Sequence, residues 1–186
     1  MSFFDNIKKL FQSEENTITE KKIEPVDVIK REYRDFSNSY RIAILCYFDN
    51  YENQSEILNY KRKIEQLGFE CDTLMFVDKN EKENNALLPY FNWEDLDKKS
   101  KLPHSPKTDR VILKKYDLLF NLFFNDCKQL KYIAQMSQAK CRVGPYNDNL
   151  KPISDILISC QENDITSLIA SINNTLKIKP YERKPI

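Results

Sequence analysis

Side chains able to bind a ligand or move a proton collect where the apolar runs of this sequence stop. Asp49 and Asn50 follow the run at 41–48, Asp78 follows 69–77, Asn125 and Asp126 follow 118–124, and Tyr146, Asn147 and Asp148 follow 139–144. A carboxylate in such a place, Asp49 or Asp126 above all, can serve as a general base or accept hydrogen bonds from hydroxyl or amine groups of a ligand. Asp and Asn also cap helices at strand–helix junctions, and Asp126 with Gln129 three residues on has the spacing of a capping box. Both uses stay open at each position. Asn121 is set apart, because it stands inside the apolar run, where a buried amide needs hydrogen-bond partners.

The remaining composition narrows the chemistry. Gly68 and Gly144 are the only glycines, so no GxGxxG, GxxxxGK[ST] or GxSxG segment exists, and dinucleotide, P-loop and nucleophile-elbow functions are excluded. The one histidine, His104, cannot furnish a multi-histidine metal site. Cys46, Cys71, Cys127, Cys141 and Cys160 never form a CxxC pair, and Asp49, Asp78 and Asp126 each lack a neighbouring second acid. No metal and no cofactor is therefore expected. An odd set of unpaired cysteines reads as reduced thiols in a cytoplasmic protein. Lys and Arg total 29 against 28 Asp and Glu, a net charge of +1, which gives no field that would gather nucleic acid.

The elements that must position these residues read as alternating strands and helices. A continuous apolar strand at 41–48 leads to a helix whose start is marked by Asn53 with Glu56, whose buried face holds Ile57, Tyr60, Ile64 and Leu67, and which stops at Gly68. Strands at 69–77, 118–124, 139–144 and 153–160 follow, with a helix carrying Leu130, Ile133 and Ala134 between the second and third of these four. Asp164 caps a last helix striped by Ile165, Leu168, Ile169, Ile172 and Leu176. Residues 79–115 form a less regular insertion, anchored by Phe91, Trp93 and Leu96. The predicted fold is an α/β, three-layer Rossmann-like sandwich with a mostly parallel sheet of about five strands and helices on both faces. Ligands bind such sheets beyond the carboxyl ends of the strands, where strand order reverses. Asp49, Asn50, Asp78, Asn121, Asn125, Asp126 and Tyr146 are thus the candidates for a ligand crevice.

Extensions flank this domain. Phe3, Phe4, Ile7, Leu10 and Phe11 recur at helical spacing beside Lys8 and Lys9, predicting an amphipathic helix at 1–12 that packs on its own domain, on a protein partner or on a membrane surface. Residues 13–25 read as a linker, and Val26, Ile29, Tyr33 and Phe36 predict a second helix at the start of a single domain over 26–176. Residues 177–186 form a basic, proline-containing tail expected to be loose. No apolar run reaches 18 residues, so no transmembrane segment is expected.

Two resemblances rest on Tyr116, Asp117, Leu118, Leu119, Asn121 and Leu122, followed by Ser137, Ala139, Lys140, Arg142, Val143 and Gly144. This order is similar to the strand, helix and strand of an uncharacterised conserved domain family of the Bacteroidota, a resemblance that covers most of 26–175 and implies no activity. The same stretch resembles the N-terminal half of heptosyltransferase-like glycosyltransferases, with Asn121 where that family often has Asp. That resemblance implies a Rossmann-like half-domain without the second domain that holds a nucleotide sugar.

The sequence therefore points to a cytoplasmic binding or protein-interaction module without catalysis of its own. A glycosyltransferase-like enzyme or small-ligand binder using the polar crevice is the alternative, and a peripheral membrane adapter working through the N-terminal helix is another.

Overall fold

The computed structural model describes residues 29–80, 83–161 and 163–182. The proposed amphipathic helix with Phe3, Phe4, Ile7, Leu10 and Phe11 lies outside the described residues, as does the linker.

Among the described residues six parallel strands make one sheet: β1 (Arg41–Tyr47), β2 (Glu70–Phe76), β3 (Tyr90–Phe91), β4 (Lys115–Leu122), β5 (Gln138–Pro145) and β6 (Ile156–Ile158). Their spatial order is β3-β2-β1-β4-β5-β6, so the winding reverses between β1 and β4. Among the described residues four α-helices complete the fold: α1 (Tyr51–Gln66), α2 (Pro106–Leu113), α3 (Lys128–Met136) and α4 (Ile165–Thr175). Helices α1 and α4 cover one face of the sheet, where Ile57, Tyr60 and Ile64 meet Leu168, Ile169 and Ile172 over Ile42, Ile44 and Phe120. On the other face, Val111 of α2 joins Leu130, Ile133 and Ala134 of α3 over Ala43, Leu45 and Leu119. With both faces covered, β1 is buried at five consecutive residues, which is why it reads as an unbroken apolar run. Each such Leu, Ile or Phe withdrawn from water contributes about 1.5–3 kcal/mol before chain entropy is set against it.

Local chemistry sets the element ends. Asn50 caps α1 by accepting from the Asn53 N–H at 2.8 Å, and Asp164 caps α4 by accepting from the Ser167 N–H at 3.0 Å. Pro106 opens α2 behind the capping residue Ser105. At the end of α1, Gly68 adopts φ +93°, the left-handed turn that a side chain resists, and its N–H closes on the Glu65 carbonyl at 2.9 Å.

Several expectations are corrected. The sheet has a sixth strand, β3, inside the 79–115 insertion. The helix expected from Ile29, Tyr33 and Phe36 does not form over 29–35; a short 3-10 turn, Phe36–Asn38, stands there instead. The reason is where the backbone bonds go: the Glu32 N–H donates to the Lys140 carbonyl at 3.0 Å, and Arg31 donates to the carbonyls of Ser137 and Ala139. Phe36 still packs, edge-on to Phe69. Asn53 lies within the first turn of α1 rather than starting it. The tail expected to hang free is held at Tyr181, whose N–H donates to the Leu67 carbonyl at 2.7 Å and whose ring packs on Tyr40 and Phe69. Among the described residues no helix is long and apolar enough to cross a membrane.

Candidate functional site

The reversal of strand order places the ends of β1 and β4 side by side, and the polar residues that follow them meet there. The Asn125 amide Nδ2 donates to Asp49 Oδ1 at 3.4 Å. That distance marks a long, weak hydrogen bond, one that a better partner can replace. Asp49 lies at the surface, but the groups around it shield its carboxyl from water. This desolvation holds its pKa above the usual 3.8, against the opposing hydrogen bonds from Asn125 and Asn53. Asp49 is thus a partly desolvated acceptor between the first turn of α1 and the loop after β4.

The other candidates fall around this pair with distinct duties. Asn50 is occupied as the cap of α1, so a first-turn N–H that might cradle a phosphate is already taken. Asp78, after β2, accepts from the Tyr47 hydroxyl at 3.2 Å and from the Trp93 indole N–H. Burial and the neighbouring Asp78 push the Tyr47 hydroxyl up to about 12, so it stays a donor. Trp93 is 37% exposed and packs edge-on against Phe76, so its ring lines the rim while its N–H is spent on Asp78. Tyr146, 63% exposed after β5, carries the Lys151 ammonium 5.0 Å from its ring centre. Beside it, Asn147 reaches back to the Phe124 carbonyl at 3.4 Å, tying the loop after β5 to the end of the β4 segment.

Asp126 does not cap α3, contrary to the capping-box expectation. The capping position is Cys127, which makes no side-chain cap, and Asp126 turns outward to Lys131 Nζ at 2.7 Å. The chain makes a tight turn here, with the Cys127 N–H on the Asn125 carbonyl at 2.9 Å, which puts the capping position one residue past Asp126. Asn121 sits behind the crevice, fully buried, and donates to the Ile153 carbonyl at 3.0 Å and the Ser154 hydroxyl at 3.3 Å. The neighbouring strand approaches closely at this point: a Cβ on Gly144 would stand 3.2 Å from the Asn121 Cβ and 2.6 Å from Ser154 Oγ. Its amide therefore pins the 3-10 turn Lys151–Ile153 beneath the loop that carries Asn147.

The structure thus brings Asp49 and Asn125 together, holds Asp78 in a separate cluster with Tyr47 and Trp93, and gives Asn50 and Asn121 local partners. Asn53, Tyr47 and Trp93 are members that the sequence reading of the crevice did not name; Tyr47, as the last residue of β1, carried the one positional signal. Among the described residues, no three His, Cys, Asp or Glu side chains converge as metal ligands. The cysteines are free, and desolvation pushes the Cys127 thiol, nearest in sequence to Asp126, up to about 11, far from a thiolate nucleophile.

No curated protein matches the chain. Among solved structures, E. coli heptosyltransferase WaaC with ADP is similar at a TM-score of 0.45 and 10% sequence identity, over 77% of this chain and 49% of that one. The chain spans about half the length of that enzyme. A family model covers nearly all of the sequence, residues 6–178, and its description is "Family of unknown function". The chain belongs to that family, DUF6913.

Proposed function

We propose that this protein is a binding module that takes a small, polyhydroxylated or amine-bearing ligand at the switch point between β1 and β4. Asp49 accepts from a ligand hydroxyl or ammonium group, and Asn125 turns from Asp49 to the ligand. The observation that carries the reading is the Asp49–Asn125 pair, a shielded carboxylate whose hydrogen bond from Asn125 is long and replaceable, at the end of the sheet where such folds receive ligands. Exposed rings at the same ends of the strands, Tyr51, Trp93 and Tyr146, offer flat apolar surfaces for the carbon face of a polyol. Binding is favoured over catalysis because the nearby acids are engaged elsewhere, Asp126 with Lys131 and Asp78 with Tyr47 and Trp93. The free cysteines support a cytoplasmic location.

A thermal-shift screen of small polyols, amines and amino acids against the wild type and Asp49→Ala tests this. A ligand that raises the wild-type Tm should leave Asp49→Ala unmoved; an equal shift in both proteins overturns the site.

One observation favours a second reading. The raised pKa of Asp49 suits a general base acting on a ligand hydroxyl. In that case Asp49→Asn keeps ligand binding and loses turnover, whereas a pure binding site yields no turnover in either protein.

A further inference from the structure

The two edges of the sheet are finished differently. Beyond the short β6, the outer edge of β5 is covered by the chain itself: Glu32 N–H pairs with the Lys140 carbonyl, Asp155 N–H with the Arg142 carbonyl at 2.7 Å, and Arg142 N–H with the Asp155 carboxylate at 2.8 Å. At the opposite edge, β3 pairs with β2 only at Met75 and Phe76. Within β2 the even-numbered residues bond toward β1, as the Glu70 N–H does to the Tyr40 carbonyl and the Phe76 carbonyl from the Phe48 N–H. Odd-numbered residues bond outward, as the Met75 N–H does to the Pro89 carbonyl at 2.9 Å. Cys71 and Thr73 belong to the outward set and lie before β3 begins, and no described residue pairs with their backbone groups.

This open stretch forms the floor of a slot of ≈ 290 Å³, walled by Lys61 and Glu65 of α1 and by Lys107, Arg110 and Val111 of α2, and closed at one end by Pro89. Thr73 lies in that floor, buried, with its hydroxyl unpartnered. We propose that the slot receives an extended, acidic peptide segment of another protein, added to the edge of β2 in line with β3.

The walls argue for a peptide rather than a second copy of this chain. Strands pair at roughly 4.8 Å, and two β2 edges recessed between their own helices cannot come that close. The charges argue for an acidic segment. Glu65 already accepts from Lys61, and Asp72 from Lys114 and the Tyr116 hydroxyl. Arg110 is instead 72% exposed along its side chain and approaches Asp72 only to 3.8 Å, whereas Lys107 beside it is already paired with Asp95 at 3.2 Å, which leaves Arg110 as the cation open to a partner. A peptide strand alternates its side chains, so an Asp or Glu toward α2 meets Arg110 while the residues between them face α1.

A random-peptide display library panned against the folded full-length chain supplies the probe, and amide exchange together with affinity reads the result. Selected peptides should carry Asp or Glu, slow exchange at the Cys71 and Thr73 amides, and bind Arg110→Glu about tenfold more weakly. Thr73→Pro removes an outward N–H without touching the bonds to β1 and should abolish binding. If that variant misfolds, Arg110→Glu and the exchange data still decide. The proposal is overturned if peptides leave those amides unaffected, or if Arg110→Glu binds as well as the wild type. It is equally overturned if the two amides are already protected without peptide and become exposed on dilution, as a second copy would require, or on removal of residues 1–28.

Discussion

Asn125 donates its amide to Asp49 across the boundary where the sheet reverses direction, at 3.4 Å. The two residues are far apart in sequence and come from loops after different strands, so only the β1–β4 pairing brings them together. A carboxylate kept partly from water, with a weak bond from Asn125 that a ligand can replace, is costly to the fold and useful to a ligand.

That cost has a sign. The pKa of Asp49 in the folded protein lies above its usual 3.8, so its charge opposes folding: the penalty is absent below that value, develops as pH rises through the folded pKa, and is complete above it. Asp49→Asn should therefore raise stability at neutral pH, by no more than about 0.5 kcal/mol because solvent screens the site. The gain should vanish at about pH 3, as urea unfolding at the two pH values will read.

Asp155 works in the opposite direction. Burial disfavours its charge, but the Arg142 side-chain and backbone hydrogen bonds outweigh this and hold its pKa below the usual value. Its contribution is present above 3.8 and is lost as pH falls through the lower folded value. Asp155→Asn should cost roughly 2–3 kcal/mol at neutral pH, since the buried Arg142 loses its counter-charge. Chemical denaturation should show that deficit shrinking in acid.

Gly144 is required for space. Gly144→Ala drives a methyl to 2.6 Å from Ser154 Oγ and should cost about 1–3 kcal/mol. Ser154→Gly in the same chain removes that clash and should recover part of the loss, a non-additivity that a double-mutant cycle of unfolding free energies will measure.

Much of this was legible in the sequence because the sheet is covered on both faces. The apolar runs of β1 and β4 and the stripe Ile165, Leu168, Ile169 and Ile172 left little choice of element. What escaped was local or long-range. Tyr90–Phe91 is too short to show a period. Tyr33 and Phe36 have helical spacing, but the backbone at Glu32 bonds to β5 instead. Capping-box spacing fitted Asn53 and Asp126, while the turns that precede α1 and α3 put the true caps at Asn50 and Cys127. The crevice was legible in outline, since strand ends and topology single out Asp49 and Asn125. The link from Asp78 to Trp93 depends on how the insertion folds back, which no local pattern encodes.

The central claim is tested most directly at the Asn125 side-chain amide, whose two proton resonances can be followed by NMR as a ligand found by thermal shift is titrated into the wild type and into Asp49→Ala. Saturable shifts of the Asn125 and Asn53 amides in the wild type, absent in Asp49→Ala, are the predicted result. Shifts confined to residues remote from β1 and β4, or identical in both proteins, would contradict a ligand site at the switch point.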